Sequence, residues 1–166
     1  TEVFAAIARR PAVRYTALVP NLAGLDRATA AGVTEVAIFA ASTETFSRKN
    51  INQGVDESLA TYKQVCDRAI AAGFRVRGYL STAFGCPFEG DVDPARVADV
   101  AARILDLGVF EVAISDTIGI GHPGQVPHVL EPVLARVAAE KIALHFHDTR
   151  GTALANVLAA LPLGVT

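Results

Sequence analysis

Several things are missing from this 166-residue chain, and each absence narrows what it can be. Tryptophan and methionine are absent, the latter even from position 1. The closing Leu163-Gly164-Val165-Thr166 reads as the start of another element, so segments are expected to precede and follow these residues. Cysteine occurs only at Cys66 and Cys86, too few for a disulfide framework and compatible with a reducing compartment. No Walker loop, nucleophile elbow or paired-cysteine zinc motif occurs. No uncharged apolar run reaches the roughly 18 residues a membrane span needs. No signal peptide opens the chain, so the cytoplasm is the expected compartment, although a removed organelle leader would leave no trace. Neither sign of charge dominates: 15 basic against 17 acidic residues give a net charge of −2. Neither nucleic acid nor an anionic membrane is therefore an expected partner.

What is present is core material. Hydrophobic residues make up 51% and charged residues 19%, which excludes a disordered chain and fits one domain. A repeated grammar organises it: small residues or a glycine, a short gap, an apolar run, then polar residues. Ala31-Gly32 leads into Glu35–Ala41, Ala72-Gly73 into Arg75–Ser81, and Leu107-Gly108 into Glu111–Ser115. Ala139-Glu140 leads into 142–147, and a further run, Tyr15–Val19, comes before all of these. The glycines sit where a helix end needs positive φ, and the runs read as parallel strands covered on both faces. Between them, Leu59, Tyr62, Val65, Cys66 and Ala69 keep helical spacing, as do Val97, Val100, Ala101, Ile104 and Leu105. Asp93-Pro94 reads as an N-cap followed by a first-turn proline.

Strand–helix units of about 35 residues imply a parallel sheet, either doubly wound or a TIM barrel. Five units are too few for a closed (β/α)8 barrel. The abrupt ends favour an α/β TIM (β/α)8 barrel of which about five βα units are present, with residues 1–166 as the central part of a single catalytic domain. Such a fragment exposes strand edges and apolar helix faces, which further chain or a homo-oligomer partner must cover.

In these folds chemistry collects at the C-terminal ends of the strands. His145-Phe146-His147-Asp148-Thr149 is the strongest constellation there. Strand side chains alternate, so His145 and His147 share the face opposite Phe146 and can close on one ion. The pair points to metal ligation; the alternative is two hydrogen-bonded core histidines. Asp148 is open to three roles: a further ligand, an acceptor for an imidazole N–H, or a helix cap. Asp116 closes another apolar run. It is an acid/base or substrate-orienting candidate expected to face the same mouth as the histidines, with a loop cap as the alternative. Gly119 to Gly124 spells G-x-G-x-x-G, but the prolines around it favour a helix opening near Pro127 over a dinucleotide site. Arg48, Lys49 and Asn50 lie in what reads as a long loop from Ser42 to about Asp56. That loop is either solvated or a site for an anionic acyl carrier. Gly85 to Gly90 reads as a turn, with Cys86 either structural or of no assigned role.

These segments together resemble the hydroxymethylglutaryl-CoA lyases, within a wider group of metal-dependent TIM-barrel lyases and Claisen-type synthases. The group shares the stretch from His145 to Gly151, then Ala153 to Asn156. The lyase is distinguished by Val76-Arg77-Gly78-Tyr79-Leu80-Ser81 through Gly85-Cys86-Pro87-Phe88-Glu89-Gly90. Tyr15 to Gly24, Lys49 to Asn52 and Asp116 to Gly119 are also similar to it. The resemblance implies cleavage of 3-hydroxy-3-methylglutaryl-CoA, a small-molecule acyl-CoA, to acetyl-CoA and acetoacetate, as in leucine degradation and ketone-body formation. It implies Mg²⁺ or Mn²⁺ held by His145 and His147, with Asp116, Thr117 and Tyr79 at the reacting centre and Arg48, Lys49 and Asn50 on the substrate.

Departures accompany it. The family's first-strand Arg-Asp pair has no match here, and its late catalytic cysteine and Asn ligand would lie beyond Thr166. Cys86 matches a different family cysteine, and Arg150 stands where the lyases usually have Tyr. These 166 residues alone are therefore expected to be inactive. Two rivals remain: a Claisen-condensing synthase of the isopropylmalate or homocitrate type, and a non-catalytic α/β ligand-binding domain.

Overall fold

A computed structural model describes residues 2–165; Thr166, the last residue of the closing tetrapeptide, lies outside them. Five strands form one parallel sheet: β1 (Thr16–Leu18), β2 (Glu35–Ala41), β3 (Arg75–Ser81), β4 (Val112–Asp116) and β5 (Ile142–Phe146). Their spatial order is their sequence order, β1-β2-β3-β4-β5. A doubly wound sheet reverses direction at a switch point, and this one never does. The consecutive order is that of a barrel wall.

The sequence periodicity locates β2 and β3 to the residue. The other strands differ at their ends: β1 is shorter than Tyr15–Val19, β4 is shifted one residue along, and β5 stops at Phe146. Gly32, Gly73 and Gly108 all take positive φ (71°, 80° and 87°), and each N–H donates to a carbonyl three residues back in the helix it follows. This closes the helix and turns the chain into the next strand.

The covering helices are α2 (Leu22–Ala30), α4 (Val55–Ala71), α5 (Pro94–Leu105), α6 (Gln125–Leu134) and α7 (Ala153–Ala160), while α1 (Glu2–Ala6) precedes β1 and α3 (Glu44–Ile51) follows β2. Three of these have a local start signal. Asn21 Oδ1 accepts from Gly24 N at the start of α2, and Asp93 Oδ1 accepts from Ala95 N at the start of α5, both at 2.9 Å. Glu57 reaches back to Gly54 N (2.7 Å) to close the first turn of α4. Apolar residues at three- and four-residue spacing then face the sheet, and Val65, Val97, Val100 and Ile104 are fully buried. Each such side chain contributes about 1.5–3 kcal/mol.

The stretch from Ser42 to Asp56 is not a long loop, because α3 occupies its middle. A helix forms there because Glu44 lies in its first turn, Arg48 and Lys49 in its last, and Asn52 ends it in the left-handed region at φ 56°. These charges complement the helix dipole, and Asn tolerates that backbone. Glu89, from the Gly85–Gly90 turn, adds a cap by accepting from Thr45 N (2.7 Å). That turn is closed by paired N–H···O bonds between Cys86 and Gly90.

Strand alternation divides the side chains. Val36, Ile38, Ala40, Val76, Leu80, Val112 and Ile114 enter the core shared with the helices. Their neighbours Ala37, Phe39, Tyr79, Ser81, Ser115 and His145 line a cavity on the other face. No helix among the described residues is long and apolar enough to cross a membrane.

Gly78 lets α5 settle on β3, since a Cβ there would stand 2.5 Å from Ile104 Cγ2 and 3.3 Å from Val112 Cγ2. Gly78→Ala should lower stability by about 1–3 kcal/mol, read as a lower denaturant midpoint.

Candidate metal and substrate site

The cavity holds about 590 Å³ and lies inside the curve of the five strands. Thr16, Leu18, Ala37 and Phe39 form its apolar side; Tyr79, Ser81, Ser115, Thr117, His145 and His147 form its polar side, and Asn50 closes the rim.

His145 enters because it pairs with Ser115 in the β4–β5 register; Phe146, one residue on, points the other way and meets Phe84 with ring centroids 5.3 Å apart. His147 follows two residues after His145. The two Nε2 atoms converge to 3.2 Å. His147 Nδ1 lies 2.6 Å from the Thr117 carbonyl oxygen. A carbonyl only accepts, so Nδ1 carries the proton and the Nε2 of neutral His147 is a bare lone pair. Burial first, then the charges of His147 and Arg77, hold the His145 imidazole below the ordinary histidine range, which favours its neutral, ligand-competent form.

The donor set fits a divalent ion. Two neighbouring ligands each about 2.1 Å from an octahedral centre stand about 3.0 Å apart, close to the observed separation. The described residues hold no group of three or more His, Cys, Asp or Glu side chains able to share an ion, so water, substrate or chain outside these residues would complete the shell.

Tyr79 stands edge-on to His145, with ring centroids 6.3 Å apart. Arg77 Nη1 donates to its hydroxyl (2.8 Å), and Arg77 is itself held by Glu111 (2.6 Å). Since arginine only donates, the Tyr79 oxygen accepts and its own proton is left for the cavity. The Thr117 hydroxyl accepts from Thr82 N (2.7 Å), which again leaves a donor free.

Three expected site residues are placed elsewhere. Asp116 does not face the mouth with the histidines. It pairs in register with Phe146 rather than His145, so its carboxylate turns to the opposite face and is fully buried. There it accepts from Ile120 N (3.1 Å) and Gly121 N (2.9 Å), fixing the loop after β4. Arg48 turns away from the cavity toward Glu44 (3.9 Å) and Glu57 (3.7 Å). Lys49 lies over the Phe88 ring, 5.0 Å from its centroid. Both follow from α3: a helix faces its residues in different directions, and only Asn50 of the three reaches the rim.

The G-x-G-x-x-G stretch is an ordinary βα loop, with α6 opening at Gln125. A Cβ at Gly119 would strike Thr149 Oγ1 (2.4 Å), and one at Gly121 would meet Asp116 Oδ2 (3.0 Å). The loop packs on protein where a dinucleotide would need space. Its Gly121 carbonyl accepts from Thr152 Oγ1 (2.8 Å) and from the buried Asn156 Nδ2 (3.1 Å). Asp148 caps α7, accepting from Ala153 N (2.9 Å). The segment from Asp148 to Asn156 thus clamps the β4 loop to the histidine strand.

Sequence reasoning missed Thr82, which is fully buried and lies in the left-handed region at φ 60°. Nothing in the local sequence marks a β-branched residue for that conformation.

The full length, residues 1–166, matches the model of the HMGL-like family. The chain belongs to that family. The "3-hydroxy-3-methylglutaryl-CoA lyase, cytoplasmic" of Danio rerio is 49% identical over 166 residues, all of this chain and 50% of that protein. The hydroxymethylglutaryl-CoA lyase structure from Pseudomonas aeruginosa superposes with a TM-score of 0.94 at 48% identity, over 99% of this chain and 55% of that one. An Acinetobacter baumannii HMG-CoA lyase in complex with coenzyme A and 3-methylmalate superposes with a TM-score of 0.90 at 34% identity, over 98% of this chain and 53% of that one. The chain therefore spans about half the length of the relatives it matches, and its five βα units are part of a TIM barrel.

Two outcomes are expected. Asp116→Asn replaces one acceptor oxygen by an NH₂ facing a backbone N–H, so it should lower stability by about 1–3 kcal/mol, measured by thermal unfolding. In an NMR titration without metal, His145 should titrate below 6.5, the ordinary histidine value. A lowered folded pKa means that its stabilising contribution is whole above 6.5 and is lost as pH falls through the folded midpoint.

Proposed function

We propose that residues 1–166 are the central part of a single TIM-barrel catalytic domain. The whole protein would cleave 3-hydroxy-3-methylglutaryl-CoA to acetyl-CoA and acetoacetate. The observation that carries this reading is the convergence of the two Nε2 atoms, 3.2 Å apart, on a cavity also lined by Tyr79, Thr117 and Asn50. Membership of the HMGL-like family supports it, as do relatives named for this reaction at 44–49% identity. The coenzyme A in the A. baumannii relative supports an acyl-CoA substrate.

His145 and His147 would hold Mg²⁺ or Mn²⁺. When bound, a divalent ion supplies Lewis acidity that polarises substrate oxygens and lowers the pKa of the tertiary hydroxyl. The Thr117 carbonyl fixes the Nδ1–H tautomer of His147, which leaves Nε2 as the ligating nitrogen of the neutral ring. Tyr79 directs its free hydroxyl proton at a substrate oxygen, with Arg77 and Glu111 holding the phenol in place. Thr117 offers a second donor on the same polar side, and Asn50 offers an amide at the rim. The reaction removes the C3 hydroxyl proton and breaks the C2–C3 bond. Its electron pair passes to the acetyl-CoA enolate, which takes up a proton. Asp116 orders the β4 loop behind this centre. Lys49, exposed beside Asn50, would be released from Phe88 to meet the anionic carrier; Arg48 stays with its carboxylates.

A cytoplasmic location belongs to the same reading and is supported by the relatives named cytoplasmic; the bovine relative is named mitochondrial.

His147→Ala in the whole protein should abolish divalent-metal binding by calorimetry and lower turnover of 3-hydroxy-3-methylglutaryl-CoA by at least about 100-fold. Unchanged affinity would refute the ligand assignment. Condensation of acetyl-CoA with a 2-oxo acid, without cleavage, would establish the synthase alternative.

A further inference from the structure

We infer that Thr82, which does not line the cavity, is a positioning residue for the histidine pair. This rests on the reading of His145 and His147 as metal ligands. Thr82 is 0% exposed and adopts φ 60°, a conformation that is strained for a β-branched residue and persists only where the surroundings enforce it. Its bonds show what the conformation accomplishes. The Thr82 N–H donates to Thr117 Oγ1 (2.7 Å). Its own hydroxyl donates to the Ser81 carbonyl (2.6 Å) and lies 3.4 Å from Thr43 Oγ1. Thr43 in turn donates to Cys86 Sγ (3.2 Å). The left-handed backbone turns the N–H toward the end of β4, and the hydroxyl bond to Ser81, packed against Thr43, holds it there.

Thr117 is the next link. Its hydroxyl is fixed by Thr82 and its carbonyl accepts from His147 Nδ1 (2.6 Å). A chain of hydrogen bonds therefore runs from Thr82 through Thr117 to the histidine whose Nε2 faces His145. Released from Thr82, Thr117 loses the bond that sets its orientation, and His147 loses the carbonyl that selects its tautomer. A ligand histidine without such support typically loses about 10- to 100-fold in metal affinity. Cys86, as an acceptor at the far end, belongs to the same support.

The test is made on the whole protein with Mn²⁺ as probe. Thr82→Val keeps the volume but removes the hydroxyl and its bond to the Ser81 carbonyl. Thr82→Asn restores a side chain that tolerates the left-handed region and bonds locally. The valine variant should bind Mn²⁺ at least about tenfold more weakly, and the asparagine variant should recover most of the loss. The long-range ¹⁵N–¹³C ring correlations of His147, recorded without metal, should show Nδ1–H in the wild type and a tautomer mixture in the valine variant. Thr117→Val and Thr117→Ser give the same comparison if Thr82→Val does not fold, with weaker binding in the first and near-normal binding in the second. Wild-type affinity and an intact Nδ1–H tautomer in folded Thr82→Val, or in Thr117→Val, would overturn the inference. A wild-type protein that binds no Mn²⁺ would instead overturn the metal reading itself.

Discussion

The two-residue alternation of β5 is the constraint on which the rest depends. Because successive side chains take opposite faces, one short segment sends Phe146 against Phe84 and its two histidines into the cavity. A slip of one residue would reverse this, burying imidazoles among the helices and exposing a phenyl ring. The five-residue register of β5 on β4, from Val112↔Ile142 to Asp116↔Phe146, prevents that slip. The β4 loop, held by Asp116, Thr152 and Asn156, then supplies the carbonyl that orients His147. Packing and site chemistry are thus two faces of the same strand.

That arrangement gives the polar residues behind the site a definite purpose. A fully buried carboxylate is costly unless its oxygens are occupied, and the two backbone N–H groups of the glycine-rich loop occupy those of Asp116. Gly121 must lack a side chain because that carboxylate lies against it, and Gly119 must lack one because Thr149 does. The glycine pattern that superficially matches a dinucleotide fingerprint arises from protein–protein contact within the barrel mouth.

Much of this was legible in the sequence because two periods dominate it. The near-continuous apolar runs of β2 and β3 and the glycines at the helix ends place the parallel strands directly. The His-x-His spacing places both imidazoles on one face without any structural knowledge. Asp116 takes the face opposite to the expected one for a subtler reason: it ends an apolar run, as the histidines do, but which face it takes is set by the register with β5, a long-range property. α3 resembles a loop in sequence because its apolar content is slight, although its charges and Asn52 carry the end signals. Thr82 leaves no trace, since its backbone conformation depends on Thr117 and Thr43 from two distant segments as well as on neighbouring Ser81.

The most direct test of the central claim is electron spin echo envelope modulation of the whole protein loaded with Mn²⁺. Two histidine nitrogens bonded directly to one ion, as proposed for His145 and His147, should give ¹⁴N modulation from two imidazoles, reduced to one in His145→Ala. A Mn²⁺ spectrum free of directly coupled nitrogen would show that the ion sits elsewhere, and the account of this cavity as a metal-dependent lyase site would fail.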